Sequence, residues 1–326
     1  TKRNNNAGPQ PLSAFASGEQ GSRYLIKGVL SEGAYVVMHG KPAAGKTFAA
    51  LDMAYCVAAG KEWMGRRVHQ APVLYLPYEG AGGLRKRAEA LRRHYGTAEV
   101  PFYVDAGRYN LRVPEGRKGL AEAIAKMPEV PKFILIDTFA HALCGGDENS
   151  AQDVGAFNSA VQSLIQRTGA CVMVLHHPEK SGNGGPRGSG ALPGAVYIEM
   201  EVTHDGASRR IQATKQRDFE LGDAIGFKLL PIMVGEDEDG DEITSCVVMA
   251  AQVLSASPAG KLKGNAKLTW DKLCEMSPSN EPVLLEELRQ ACAEFLPKRR
   301  ASWFEIRGRL RHLCHITDIH IQRRLL

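Results

Sequence analysis

Gly40-Lys41-Pro42-Ala43-Ala44-Gly45-Lys46-Thr47 decides the fold of this 326-residue chain. The octapeptide fits G-x-x-x-x-G-K-[ST], and its flanks agree with the pattern. Ala34 to Met38 is an apolar run that stops at His39 and Gly40. Lys46 to Ala59 carries Ala, Leu and Met at helical spacing until Gly60. A strand, a glycine-bearing loop and a helix in that order aim backbone N–H groups at one point. The positive end of the helix dipole adds to them, which is how phosphate is held. Lys46 is then expected to reach the β- and γ-phosphates, and Thr47 to offer its hydroxyl to Mg²⁺. All eight residues, with Phe48 behind them, are the expected ATP contacts.

Further apolar runs lie outward from the loop. Val73 to Leu76, Phe133 to Ile136 and Cys171 to Leu175 read as buried strands. Helical stretches from Leu84 to Tyr95 and Val154 to Thr168 separate them, each closed by a glycine. Continuous apolar strands alternating with helices predict an α/β fold with a mostly parallel sheet covered on both faces. Gly194 to Thr203, Ser208 to Lys215, Ile225 to Leu230 and Ile243 to Met249 read as later strands joined by hairpin-type turns.

Two carboxylates stand at strand ends, where ligands bind in such sheets. Asp137 ends the run Phe133 to Ile136 and fits a Walker B position supporting Mg²⁺. A strand-end aspartate can also cap the next helix. Thr138, not a second acid, follows it, so a water-activating carboxylate must come from elsewhere. Glu79, just past Val73 to Leu76, is the candidate general base. On the residues alone, a solvated loop acid is an equal reading of Glu79.

Together G-K-P-A-A-G-K-T, L-P-Y-E-G, I-L-I-D-T and V-L-H-H resemble the RecA-like ATPases over roughly residues 23–230. The nearest branch is similar to the RepA-type hexameric replicative helicases of plasmids and phages, relatives of the DnaB helicases. The resemblance implies a RecA-like core, ATP hydrolysis at subunit interfaces, a homo-oligomeric ring of six and single-stranded DNA in its channel. It makes Glu79 the catalytic glutamate and Asp137 the Walker B aspartate. His177 becomes a polar sensor of the γ-phosphate, with His176 structural. Thr214-Lys215-Gln216-Arg217 resembles the Lys-x-Arg element that DnaB-like proteins send into a neighbour's ATP site. Strand alternation puts Lys215 and Arg217 on one face. The glycine-rich segment after His177 holds Lys180 and Arg187, which the resemblance brings near the channel as candidates for DNA phosphates.

Charge is uneven. The net +5 arises entirely in residues 261–326, with 13 basic and 8 acidic side chains, while residues 1–260 hold 28 of each. The expected organisation is a flexible segment over 1–22, a core over 23–254, a linker over 255–266 and a small basic domain over 267–326. That last domain reads as short helices followed by an extended segment from Ile316 to Ile321, a small winged-helix-like arrangement. The basic helix Arg85 to Arg93 reads as a solvated face. Seven scattered cysteines with no C-x-x-C pair argue against zinc and against a disulfide framework, and suit a reducing cytoplasm. No apolar run approaches the roughly 18–20 residues that cross a membrane. The start of the chain has no signal-peptide core.

The function expected is an ATP- and Mg²⁺-dependent helicase, with any primase or initiator activity belonging to partners. The alternatives are a RecA-like ATPase that loads or remodels proteins on DNA, and an ATP-gated DNA-binding regulator.

Overall fold

Apolar runs build the centre of the sheet because both of its faces are covered. The computed structural model describes residues 11–12, 23–79, 81–96, 98–177, 189–204, 209–217, 221–251, 264–277, 281–293, 306, 314–316 and 320–323. Two short strands, β1 (Tyr24–Ile26) and β2 (Leu30–Ser31), pair ahead of the main sheet. The main sheet then takes β3 (Tyr35–His39), β4 (Val73–Pro77), β5 (Phe102–Val104), β6 (Phe133–Asp137) and β7 (Cys171–His176). It continues with β8 (Ile198–His204), β9 (Arg209–Gln216), β10 (Ile225–Glu236) and β11 (Glu242–Ala250). Across the sheet the order is β11-β10-β9-β8-β3-β7-β6-β4-β5. Strands β3 to β8 run parallel, and β8 to β11 form antiparallel neighbours. Every residue of β3, β4, β6 and β7 is buried, as a two-sided parallel sheet requires.

Helices α1 (Lys46–Ala59) and α2 (Ala81–Tyr95) pack on one face, around Met53, Tyr75, Leu135 and Met173. Helices α3 (Pro114–Ala125), α4 (Phe139–Ala142), α5 (Ala151–Thr168) and α6 (Ala191–Ala195) cover the other, around Ile134, Ile136, Phe157 and Val174. Each fully buried Leu, Ile or Phe adds about 1.5–3 kcal/mol. Helix α1 ends at Gly60, whose φ of 65° lets its N–H turn back to the Cys56 and Val57 carbonyls.

Two strand limits differ from the sequence expectation. Gly194 closes helix α6 instead of opening β8, because Ser189 accepts from the Ala191 N–H and starts a helical turn there. Strand β10 runs through Pro231 to Glu236. Proline is tolerated because β9 pairs β10 only from Ile225 to Phe227, so no ladder bond needs an N–H on that side at Pro231.

Asp52 is a buried carboxylate in the middle of helix α1, among apolar neighbours. It accepts from Trp63 Nε1 at 3.0 Å and Tyr95 OH at 2.9 Å, joining α1 to α2. Burial pushes its pKa up to about 7, against those two donors and the Val248 backbone. An unfolded chain loses this proton near pH 4. Between about pH 4 and 7 the folded chain therefore holds a proton that the unfolded chain has lost. Stability falls as pH rises through that window and levels off above it. Asp52→Asn removes the titration, so the denaturant midpoint should vary less between pH 4 and 7 than in the parent. An unchanged slope would show that Asp52 does not titrate there.

The chain divides into two compact units, Thr1–Gln252 and Val253–Leu326. The second contains α7 (Asn265–Met276), α8 (Leu285–Ala291) and the strands β12 (Val283–Leu284), β13 (Cys314–Ile316) and β14 (His320–Arg323). The strands form an antiparallel sheet in the order β12-β14-β13. Trp270, Leu273, Leu288 and Cys292 make its small core. Of the single extended segment expected over Ile316 to Ile321, Ile316 belongs to β13 and His320 and Ile321 to the antiparallel β14, and the residues between lie outside the described ones. Lys298 to Arg300 and Arg307 to Arg311 lie outside the described residues, as do 1–10, 13–22 and 255–263, and α7 begins at Asn265, inside the linker expected over 255–266. Among the described residues no helix is long and apolar enough to cross a membrane.

Candidate active site

Parallel strands deliver their C-terminal ends to one edge, and there the chain forms a cleft of about 300 Å³. Lys46, Thr47, Phe48, Glu79, Asp137 and His177 all line it. Pro42, Ala43 and Gly45 form the loop wall beside them. Gly40 and Lys41 contribute backbone, and Ala44 is buried. The loop needs its glycines for two different reasons. Gly45 has a φ of 101°, and a Cβ there would meet the Phe227 ring at 3.2 Å. At Gly40 a Cβ would collide with the Val202 carbonyl oxygen of the neighbouring strand, and a backbone atom cannot give way.

Lys46 is only 7% exposed. Its ammonium donates to the Gly40 carbonyl at 2.6 Å and the Lys41 carbonyl at 3.1 Å. Burial lowers its pKa, and the carboxylates of Asp137 and Glu79 oppose that shift. Asp137 is 3% exposed, and burial raises its pKa. Three groups oppose the rise: the Tyr75 hydroxyl, donating at 3.0 Å, the Thr47 hydroxyl and the Arg87 guanidinium. A threonine hydroxyl next to a buried carboxylate is a hard-oxygen pair, which suits Mg²⁺. The ammonium beside a helix N-terminus suits phosphate. The donor set fits both groups.

Glu79 is tied to the Asp137 strand by its own N–H, which donates to the Asp137 carbonyl at 3.0 Å. Its side chain is 47% exposed, as a water-facing base must be. Thr138 Oγ1 donates to Glu79 Oε2 at 3.1 Å, and His141 Nδ1 lies 3.3 Å from the same oxygen. The two histidines at the end of β7 separate by alternation. His176 is buried on the α5 face against Phe139, with ring centroids 4.8 Å apart, and His177 turns to the cleft.

Residues 7–183, more than half of the chain, match the family model described as AAA domain. The chain belongs to the AAA domain family. Its core is a RecA-like P-loop ATPase fold, with β7 inserted between the phosphate-loop strand β3 and the Asp137 strand β6. Solved structures with similar folds include the KaiC-like protein PH0186 from Pyrococcus horikoshii OT3. It is 15% identical at a TM-score of 0.45, over 69% of this chain and 93% of that one. The ATPase domain of G40P is 13% identical at 0.45, over 65% and 84% of the two chains. The RadB recombinase is 12% identical at 0.44, over 61% and 88%. No curated protein matches the sequence.

Beyond the residues matched to the AAA domain, Lys215 and Arg217 do not line the cleft of their own chain. They reach one common target, the end of helix α6. Lys215 Nζ donates to the Pro193 carbonyl at 2.5 Å, and Arg217 Nη2 to the Gly194 carbonyl at 2.9 Å. Lys180 and Arg187 lie outside the described residues.

Sequence reasoning missed four groups of this site. Tyr75 sits in the middle of an aliphatic strand, and a buried tyrosine hydroxyl needs a partner, which was the available signal. Thr138 and His141 lie three apart across a helix of only four residues, too short to show periodicity. Arg87 was hidden in the basic run of α2. It lines the cleft, 5.3 Å from the Phe48 ring centroid. Arg93 also departs from a purely solvated face, because it donates to the Met233 and Val234 carbonyls of β10.

Proposed function

We propose that the protein is an ATP-driven motor of the RepA-like helicase type, assembled as a homo-oligomeric ring of six subunits and acting on single-stranded DNA in the cytoplasm. The observation that carries the proposal is the division of labour between two sites. Phosphate, metal and base groups share one cleft, while the paired cations Lys215 and Arg217 stand outside it. An ATP site built this way is finished by a neighbouring subunit.

In this mechanism the loop amides and Lys46 hold the β- and γ-phosphates of ATP. Thr47 and Asp137 would hold Mg²⁺, which when bound neutralises charge on the phosphate oxygens. Glu79 orients the attacking water and takes its proton. Thr138 and His141 keep that carboxylate at the mouth of the cleft. His177 donates toward the γ-phosphate and reports its presence to the segment that follows β7. Lys215 and Arg217 of the adjacent subunit stabilise the negative charge of the transition state, an effect on the order of 10³–10⁵ in rate. Lys180 and Arg187 in that following segment are the proposed contacts to DNA phosphates. The basic C-terminal unit offers a second surface, to DNA or to a primase or initiator.

The test is strand separation on forked duplexes carrying a single 3′ or 5′ tail, with a mass measurement of the ATP-bound assembly. The proposal expects ATP turnover stimulated by single-stranded DNA, unwinding with one polarity, and a hexamer. Stimulated turnover without strand separation would instead identify an ATPase that remodels or loads proteins on DNA. Tight binding to one duplex sequence, with slow turnover, would identify a regulator.

A further inference from the structure

Glu199 stands on β8 between two strands with different tasks. On one side, β3 ends at His39, directly before the phosphate loop. On the other, β9 leads into Lys215 and Arg217. Glu199 pairs in register with Val37 on the first and with Lys215 on the second. Its Oε1 accepts from Thr214 Oγ1 at 2.8 Å. The same oxygen lies 3.5 Å from Nε2 of His39, whose imidazole is fully buried. That separation is an electrostatic contact longer than a hydrogen bond.

The register of β9 slips at this point. Ala213 pairs with Met200 and Lys215 with Glu199, so Thr214 is an extra residue. Such a bulge re-aims the side chains beyond it. Without it, Lys215 would share the face of Ala213 and Ile211, which is the α1 face. With it, Lys215 emerges beside Glu199 and reaches helix α6 together with Arg217. His39 first, then the Thr214 hydroxyl and Lys215, hold the Glu199 carboxyl below its ordinary pKa against burial, so it is ionised when it does this.

We propose that Glu199 is a positioning residue for the trans-acting cations. It fixes the Thr214 bulge against the end of the phosphate-loop strand, and so sets the direction in which Lys215 and Arg217 leave β9. The inference rests on the reading of these two cations as the completing groups of a neighbour's ATP site.

The experiment measures kcat and KM for ATP in the full-length assembled protein with single-stranded DNA. Glu199→Ala and Thr214→Val are each expected to lower kcat, on the order of 10–100-fold as for a misplaced reacting group, with KM unchanged. Thr214→Ser, which keeps the hydroxyl, should restore most of the rate. In a background carrying Lys215→Ala and Arg217→Ala, Glu199→Ala should cost nothing further. An equal loss in that background would show that Glu199 acts elsewhere, and unchanged kcat in Glu199→Ala would overturn the proposal outright. If Lys215→Ala with Arg217→Ala itself kept full turnover, the trans-cation reading would fall and this inference with it. If Glu199→Ala does not assemble, the Thr214→Val and Thr214→Ser pair gives the same decision.

Discussion

Lys46→Ala is expected to cut ATP turnover by on the order of 10³, the scale of losing a charge-stabilising donor from a preorganised site. Burial lowers the pKa of Lys46, and the carboxylates of Asp137 and Glu79 oppose that shift, so the lysine is the cation facing two acids in the cleft. Without it the phosphate oxygens of ATP would meet both acids with one cation fewer to offset them. Folding should survive. The ammonium bonds two loop carbonyls, Gly40 and Lys41, and Lys41 is exposed to water that can replace the lost donor. Removing a buried charge also relieves its desolvation cost. Phosphate release and a thermal melt, run on parent and variant together, check both halves. Full turnover in Lys46→Ala would refute the phosphate-loop assignment. A collapsed melt would show that the lysine is structural.

Much of the fold could be read locally. The octapeptide, with a strand before it and a helix after it, carries its chemistry in consecutive residues. Phe133 to Asp137 likewise announces itself as four apolar residues and one acid. What escaped depends on contacts between distant segments. Glu79 could be named from the sequence, but base and solvated loop acid stay equal readings on the residues alone, because its contacts with the Asp137 carbonyl, Thr138 and His141 join distant segments. Arg87 resembles its basic neighbours until α2 packs and turns it into the cleft. The orientation of Lys215 was inferred from simple alternation. In the structure Lys215 and Arg217 both reach the end of α6, but a bulge at Thr214 that no local pattern signals decides which face of the sheet Lys215 takes. Pro231 ended the β10 expectation early because tolerance of proline depends on which neighbour is paired at that point.

If the ATP site is shared between two subunits, as proposed, mixing two inactive variants should restore it. Arg217→Ala removes the donated cation and should lower turnover on the order of 10³-fold or more. Glu79→Gln removes the base from the receiving cleft while keeping its shape, so ATP should still bind. In a homogeneous ring of either variant, every interface lacks one component. In a mixed ring, some interfaces join a cleft with intact Glu79 to a neighbour with intact Arg217. Random assembly of an equal mixture gives roughly a quarter of interfaces of this kind, because each head-to-tail contact is built from two different surfaces. Mixed assemblies, verified by mass, should regain ATP turnover well above either parent. Mixed assemblies as inactive as the parents would rule out a shared site of this kind and return Arg217 to the role of a surface cation bonded to the Gly194 carbonyl.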